Sequence, residues 1–478
     1  MESFINRAKS EKNKRIMFVV ICIFLFTILI YLFFANLGRG NLQDWDEARH
    51  GVNAYEMTER NNYIGTTYNY EVDYYNLKPP LSDYFIVFGY KVFGYNLFGL
   101  RFYSAASMLI LCIICFVYAL KKWGKAAAIW ILVGFGVSQQ LFMYHCGRHG
   151  DADALFILLY TGCALGLLIN KENMRGIYIS CLCFSAAFLC KSWHAITCAA
   201  LICTYLLINF KSLSLNVKKI LTSILCALGP IIIWGVLRFQ FDGTKFFEWM
   251  INYDLLNRSA SALEGHNGSV LYYFEKIIKY KSTYIMALPV IVAIGLEKKN
   301  IVKSKNKIIA GLAVAIPVVL FSVAKTKLEW YTFCIFPMAI IISAYGLSRI
   351  LKVNSFIKHG FISVLGVVSI FMIYKNIMNI NNIEVDSTLY SNSVFRMVER
   401  TDVYEKKTIF IYTDDGKWTQ KDLLATELAG NMKCEDGGYD LWKNLDGAYL
   451  AVSKEKIQQI PEKYEIISNY EDYFIIKK

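Results

Sequence analysis

Apolar stretches of roughly twenty residues, the length an α-helix needs to cross the hydrocarbon core of a bilayer, recur along most of the chain between short polar loops. They predict about eleven membrane helices, near 16–36, 97–120, 126–145, 152–169, 176–193, 195–210, 219–240, 282–297, 307–324, 330–350 and 357–378. The stretch Leu81–Gly94 is apolar too, but it is short and carries Asp83 and Lys91. Counted as a span, it would place Lys121, Lys122 and Lys125 outside and invert every later loop. Taken as a helix lying at the interface, it leaves the basic clusters on one side: Lys9/Lys12/Lys14/Arg15, Lys121/Lys122/Lys125, Lys171/Arg175, Lys211/Lys218/Lys219, Lys298/Lys299/Lys303/Lys305/Lys307 and Arg349/Lys352/Lys358. Lys and Arg collect in cytoplasmic loops. The N-terminus is therefore expected in the cytoplasm and the C-terminal region outside it.

Beyond residue 380 the apolar runs shorten and alternate, at Thr408–Tyr412, Ala448–Val452, Tyr464–Ile467 and Tyr473–Ile476, around a polar helical stretch at Lys421–Leu428. Alternation of this kind marks half-buried strands. The expected architecture is an all-α polytopic membrane domain over 1–380 followed by a small soluble α/β domain over 381–478, on the extracytoplasmic side.

Composition sharpens this picture. The 478 residues are 55% hydrophobic and only 19% charged, with a mean hydropathy of +0.36 and a net charge of +13. Residues 381–478 hold 13 Lys+Arg against 18 Asp+Glu, net −5, which leaves +18 on the first 380. An excess held in membrane loops needs no nucleic-acid partner to explain it. Disordered and fibrous chains are excluded. Most of the 13 Cys lie inside apolar runs, and no spacing suggests a zinc site or a disulfide framework. The first apolar run, Ile16–Ala35, is longer than a signal-peptide core and lacks a clear cleavage site, so a retained signal anchor is expected.

Chemistry-bearing residues gather in the loops opposite the basic clusters. These segments are Asp44–His50, Asn76–Leu81, Arg148–Asp153, Lys191–His194, Arg258 with Glu264–His266, and Lys325–Tyr331. Each has a plain structural alternative: helix capping for Asp46, Glu47, Asp151 and Asp153, an exposed turn for Lys78, snorkelling for Lys191, Lys325 and Lys327. His194 and His266 are open to a reading as satisfied structural histidines, and Trp330 and Tyr331 as an aromatic belt. Their joint occurrence on one face favours a site, because ionisable groups at membrane level are costly and tend to be functional. Carboxylates can take a proton or hold a metal, and Arg and Lys can hold a phosphate that leaves.

The same segments resemble the polyprenyl-phosphate-sugar-dependent GT-C glycosyltransferases, the group that includes protein O-mannosyltransferases and the bacterial 4-amino-4-deoxy-L-arabinose transferases. The resemblance is carried by W-D-E-A-R-H-G (Trp45–Gly51), L-K-P-P-L (Leu77–Leu81), R-H-G-D-A-D-A (Arg148–Ala154), F-L-C-K-S (Phe188–Ser192), the run from Arg258 to Phe274, and F-S-V-A-K-T-K-L-E-W-Y (Phe321–Tyr331). Two positions depart from the pattern: Glu329 stands where Pro is expected, and Cys190 where Thr is more usual.

The resemblance implies a GT-C fold whose first long outer loop carries interfacial helices and the catalytic acid. It also implies inverting transfer of a sugar from a polyprenyl phosphate to an extracytoplasmic acceptor, a cell-envelope glycan, lipid or protein. Asp46 is the expected base or acceptor-orienting carboxylate, with Glu47 beside it and Asp151 and Asp153 in the catalytic group. Arg49, Lys78, Arg258, Lys327 and Tyr331 are the expected ligands of the lipid phosphate, supported by Arg148, Lys191, His194, Glu264, His266 and Lys325. No cofactor is required, although Asp46, Asp151 and Asp153 can together suit a divalent cation. The Lys/Asn/Ile-rich composition suggests a bacterial chain and hence undecaprenyl phosphate. The rival readings are a secondary transporter, which would place its charges near the midplane between inverted repeats, and a non-catalytic lipid-binding membrane protein.

Overall fold

The computed structural model describes residues 2–170, 174–262, 265–297, 304–353 and 356–478. Glu264 and the loop lysines Lys171, Lys298, Lys299 and Lys303 lie outside the described residues. Each of the eleven expected apolar stretches contains a helix. These are α1 (Glu2–Phe34), α4 (Leu97–Trp123), α5 (Lys125–Val137), α6 (Asp153–Ile169), α7 (Arg175–Lys191), α8 (Ile196–Asn209), α9 (Val217–Asp242), α13 (Lys281–Glu297), α14 (Lys305–Val323), α15 (Ile335–Ile350) and α16 (Phe356–Asn381). Helices α2 (Asp46–Glu59) and α3 (Leu81–Phe93) lie in the long connection between α1 and α4, and short helices α10 (Lys245–Trp249), α11 (Arg258–Ala260) and α12 (Tyr272–Lys279) lie between α9 and α13.

Among the described residues seven helical runs are long and apolar enough to span a bilayer, or eight if α12 and α13, set at 91° to each other, form one broken span. One of the seven, Arg175–Ser212, is 38 residues long, roughly twice the length of one crossing. It breaks at Ser192, whose φ of +50° and ψ of −131° no helix accommodates, and this separates α7 from α8. Two expected spans are shorter than their apolar runs. Helix α5 stops at Val137, where the Ser138 hydroxyl donates back to the Gly134 carbonyl at 2.7 Å and the polar pair Gln139-Gln140 turns the chain. The expected 330–350 helix begins with a 3₁₀ turn at Glu329–Thr332.

Helix α3 has only 13 residues. It buries Ser82, Asp83, Ile86, Val87 and Tyr90 against α2 and α4 and exposes Phe85, Phe88 and Val92, an amphipathic division suited to a membrane interface. Its approach to α4 is backbone to backbone: a Cβ on Gly89 would sit 2.1 Å from the Gly99 carbonyl oxygen.

After α16 the chain forms a five-stranded mixed sheet in the order β4-β3-β5-β7-β6. A hairpin of two-residue strands between α2 and α3 supplies β1 (Thr67–Tyr68) and β2 (Glu71–Val72). In the sheet, β3 (Thr408–Ile411) runs parallel to β4 (Lys433–Cys434) and β5 (Tyr449–Ser453), while β7 (Tyr473–Lys477) is antiparallel to β5 and to β6 (Glu465–Tyr470). Side chains alternate between its faces as strand geometry requires. Ile409, Ile411, Tyr449, Ala451 and Ile475 join the core shared with the helical domain, and Phe410, Leu450, Val452 and Ile476 pack around Trp442 on the other face. Helices α17 (Tyr390–Met397) and α18 (Gln420–Gly430) cover the first face, and α18 packs directly on α2.

Candidate active site

Helix α2 carries the site, and every turn of it is tied down. Trp45, just before it, adopts φ +62° and ψ −109°, a strained conformation for a bulky residue, and Asp46 takes the first helical position. Glu47 is fully buried against Arg101 of α4, which donates to its two oxygens at 2.7 and 2.8 Å, and it accepts the N–H groups of Gln43 and Gly150 at 2.9 and 2.8 Å. Burial pushes the Glu47 carboxyl up, but Arg101 outweighs it and holds the group at about 2. One turn on, His50 Nδ1 lies 2.6 Å from Asp83 of α3. Asn53 donates to the Thr67 carbonyl at 2.6 Å and accepts from Asn76 at 2.8 Å. Glu56 accepts the Tyr70 N–H at 2.9 Å, and Glu59 receives both arms of Arg400 at 2.9 and 3.0 Å. The loop that returns to α3 is shaped by Asp73, which accepts the N–H groups of Tyr75 and Asn76 at 2.8 and 3.1 Å. This Asx turn leads directly into Lys78.

Asp46 and Lys78 meet at the wall of a cavity of about 380 Å³, with Lys78 Nζ 3.6 Å from Asp46 Oδ1. Burial raises the Asp46 carboxyl, yet Lys78, His50, His145 and Lys191 together hold it well below the usual carboxylate range. Burial draws Lys78 down and Asp46 more than restores it, so the amine stays above its ordinary value. Arg49 also faces the cavity. Its guanidinium lies 3.8 Å over the Tyr68 ring and 4.6 Å over Tyr75, its Nε is ion-paired with Asp73 Oδ2 at 3.6 Å, and one terminal nitrogen is buried without a hydrogen-bond partner among the described residues. A buried donor left without a hydrogen bond is costly unless a ligand meets it.

The far wall comes from three irregular segments. A π-helical stretch, Met250–Asn257, presents Asp254 with Arg258 Nε 3.2 Å from its Oδ1. Such distortions of helical geometry frequently accompany functional sites. Burial raises the Asp254 carboxyl further than Arg258 and Lys78 lower it. His145, at φ +45°, stacks on Trp330 with ring centroids 3.6 Å apart and pairs through Nδ1 with Asp151 at 2.7 Å. Burial lowers its imidazole, but Asp151 prevails and brings it to about 9. Lys191, just before the strained Ser192, is ion-paired with Asp153 and also reaches the cavity. Strained backbone at Trp45, His145 and Ser192 thus clusters around one space.

Of the residues expected from sequence, Asp46, Arg49, Lys78, Lys191, His194, Arg258, His266 and Tyr331 line this cavity. Asp151 and Asp153 stand behind it, holding His145 and Lys191. Four expected residues are placed elsewhere. Glu47 is not beside a substrate space but locks α2 to Arg101. Arg148 donates to the Leu32 and Phe33 carbonyls at 3.1 and 3.3 Å and so caps α1. Lys327, expected at the phosphate, donates instead to the Ser322 and Ala324 carbonyls at 2.8 and 2.6 Å, at the end of α14, where free carbonyls attract a cation. Lys325 is exposed outside the cavity, its N–H bound to the Ser259 carbonyl at 3.1 Å. Asn76, His145, Asp254 and Trp330 join the lining. A carboxylate oxygen from each of Asp46 and Asp151 and a ring nitrogen of His145 lie within 4.8 Å of one another, so His145 replaces Asp153 in the set that can converge on a divalent cation.

Residues 77–235 match the family described as dolichyl-phosphate-mannose-protein mannosyltransferase. No curated protein matches the chain by sequence. The structure is similar to ArnT from Cupriavidus metallidurans bound to undecaprenyl phosphate, with a TM-score of 0.71 at 13% identity over 95% of this chain and 97% of that one. The apo state of the same protein gives 0.70 at 13% identity over 98% of both chains. The chain has the GT-C glycosyltransferase fold. The apo oligosaccharyltransferase of Archaeoglobus fulgidus is a more distant GT-C likeness, at a TM-score of 0.51 and 10% identity over 92% of this chain and 70% of that one.

Within the GT-C frame the two departures from the expected motifs have local partners. Glu329 accepts from Lys276 at 2.7 Å and from the Tyr280 hydroxyl, which ties the bent α12–α13 pair to the turn carrying Trp330 and Tyr331. Cys190 donates its thiol to the Ala152 carbonyl at 3.4 Å, beside the start of α6.

Proposed function

We propose that this GT-C protein transfers a sugar from a polyprenyl phosphate, with undecaprenyl phosphate as the lipid, to an extracytoplasmic acceptor with inversion at the anomeric carbon. The observation that carries this reading is the Asp46 carboxylate facing Lys78 in a cavity that Arg49 and Arg258 also line. The undecaprenyl phosphate bound by the similar ArnT supports the choice of lipid.

In this mechanism Lys78, Arg49 and Arg258 hold the donor phosphate and stabilise the charge it gains as the bond from the anomeric carbon to the phosphate oxygen breaks. The acceptor oxygen attacks from the opposite side, held by Asp46. A carboxylate kept so acidic is a weak base, so it orients the acceptor hydroxyl and takes its proton only as the new glycosidic bond makes that oxygen acidic. Products are the glycosylated acceptor and free polyprenyl phosphate. His145, which Asp151 brings to about 9, places positive charge near Asp46; no cofactor is required in this reading, and Asp46, His145 and Asp151 can together suit a divalent cation. We place the N-terminus in the cytoplasm and the sheet domain outside, as the basic loops suggest.

The test is mass spectrometry of purified protein with a panel of undecaprenyl-phosphate sugars and candidate acceptors, beside Asp46→Asn. Wild type should release undecaprenyl phosphate, and the variant should bind donor while turning over ~10²–10⁴-fold more slowly. Equal turnover by both proteins overturns the role of Asp46; failure of every lipid-linked sugar to bind overturns the donor class.

A further inference from the structure

A second cavity, of about 390 Å³, opens between the ends of α4, α13, α14 and α15. It is remote from the first. Helix α4 brings Arg101 to Glu47 near its start and Lys122 to this cavity near its end, 21 residues later, which is about 30 Å of helix and the thickness of a hydrocarbon core. The two cavities therefore lie at opposite faces of the helical domain.

Its walls and rim differ in character. Ala310, Gly311, Ile294 and Ile341 are among the apolar wall residues, and the Gly311 position has no atom within 4 Å of where a Cβ would stand, so the space above it is open. At the rim stand Lys122 and Lys307, beside Trp123 and Tyr345, whose rings are 5.5 Å apart; Lys307 Nζ lies 5.3 Å from the Tyr345 ring centre. No acidic residue lines the cavity among the described residues. Exposed Lys121 and Lys305 add positive charge on the same helix ends. Two lysines over an apolar slot between membrane helices, flanked by aromatic rings at headgroup depth, complement a phosphate joined to acyl chains.

We propose that this crevice binds an anionic phospholipid, its phosphate at Lys122 and Lys307 and one acyl chain along α14 and α15. The site is separate from the donor site and does not depend on the proposed transfer reaction. Trp123 supplies a built-in reporter. Purified full-length protein should be titrated with dibrominated phosphatidylglycerol and, separately, dibrominated phosphatidylcholine, while tryptophan emission is followed. The glycerol lipid should quench a saturable component that Trp123→Phe removes. Lys122→Ala/Lys307→Ala should raise its half-saturation at least fivefold and leave phosphatidylcholine quenching unchanged. Both lysines stand at the rim, so the double variant is expected to fold, and an unchanged elution volume checks this. Equal quenching by the two lipids, or no change in the lysine variant, overturns the proposal. Displacement by millimolar inorganic phosphate would overturn it too, in favour of a free-anion site.

Discussion

His145 joins two functions in one side chain. Its Nδ1 holds Asp151 at 2.7 Å and its ring covers Trp330, while its charge acts on Asp46. Because pairing raises the folded imidazole to about 9 from 6.5, its contribution to stability is complete below pH 6.5 and is lost as the pH rises through about 9. Turnover should decline over the same upper range, and His145→Gln should flatten both the melting-temperature and rate profiles between pH 6.5 and 9. A variant that keeps the wild-type alkaline limb would place that limb on another group. At this scale Asp46, Arg49 and Lys78 were legible because each sits in a short motif at the end of an apolar run. Asp254 was not, since it lies in a π-helical stretch whose periodicity no 3.6-residue pattern reveals. Lys327, expected at the phosphate, is placed away from the cavity for a physical reason: three carbonyls at a helix end satisfy an ammonium as well as a phosphate would.

Helix α2 shows how an element positions chemistry without touching it. The buried Glu47–Arg101 pair sets the height of Asp46, one residue away, and removing one partner of such a pair leaves a buried charge at a cost of about 3–5 kcal/mol. Glu47→Ala should therefore lower the melting temperature and the turnover rate together, whereas Asp46→Asn lowers turnover alone; thermal unfolding measured beside the donor assay separates the two. Glu47 retaining wild-type stability on truncation would refute this division. The pairing was hidden in the sequence because Arg101 lies at the start of an apolar run, where it looks like an interfacial residue. The spans themselves were legible from run length. So was the division between 176–193 and 195–210, which falls at Ser192; the early stop of α5 was not, because it depends on backbone conformation rather than hydropathy.

On the scale of the whole molecule, the sheet domain and the membrane domain share one core, and their junction includes an acid pair. Glu427 of α18 is fully buried, no basic side chain pairs with it among the described residues, and the Glu56 carboxyl faces it. Burial first and Glu56 second push the Glu427 carboxyl well above its usual range, so the folded protein keeps a proton that the unfolded chain releases above about 4.5. Stability must then fall as pH rises from 4.5 toward the folded value. Glu427→Gln, which fixes the neutral form, should flatten that decline and raise the melting temperature at pH 7.5; an unchanged slope would mean that the pair does not titrate. That the last 98 residues form an α/β unit was legible in their alternation; that the unit seals the α2 face was not, because contacts between residues some 370 positions apart leave no local trace.

This long-range packing of α18 on α2 also sets an order of manufacture. The face of α2 that turns toward Leu424 and Asn431 stays open while the ribosome is still making the later membrane helices, and closes only once the segment after α16 has folded. A nascent chain, or one cut before α18, can thus insert its helices and yet leave α2 unbraced, so that a late-made segment completes the loop that follows the first helix.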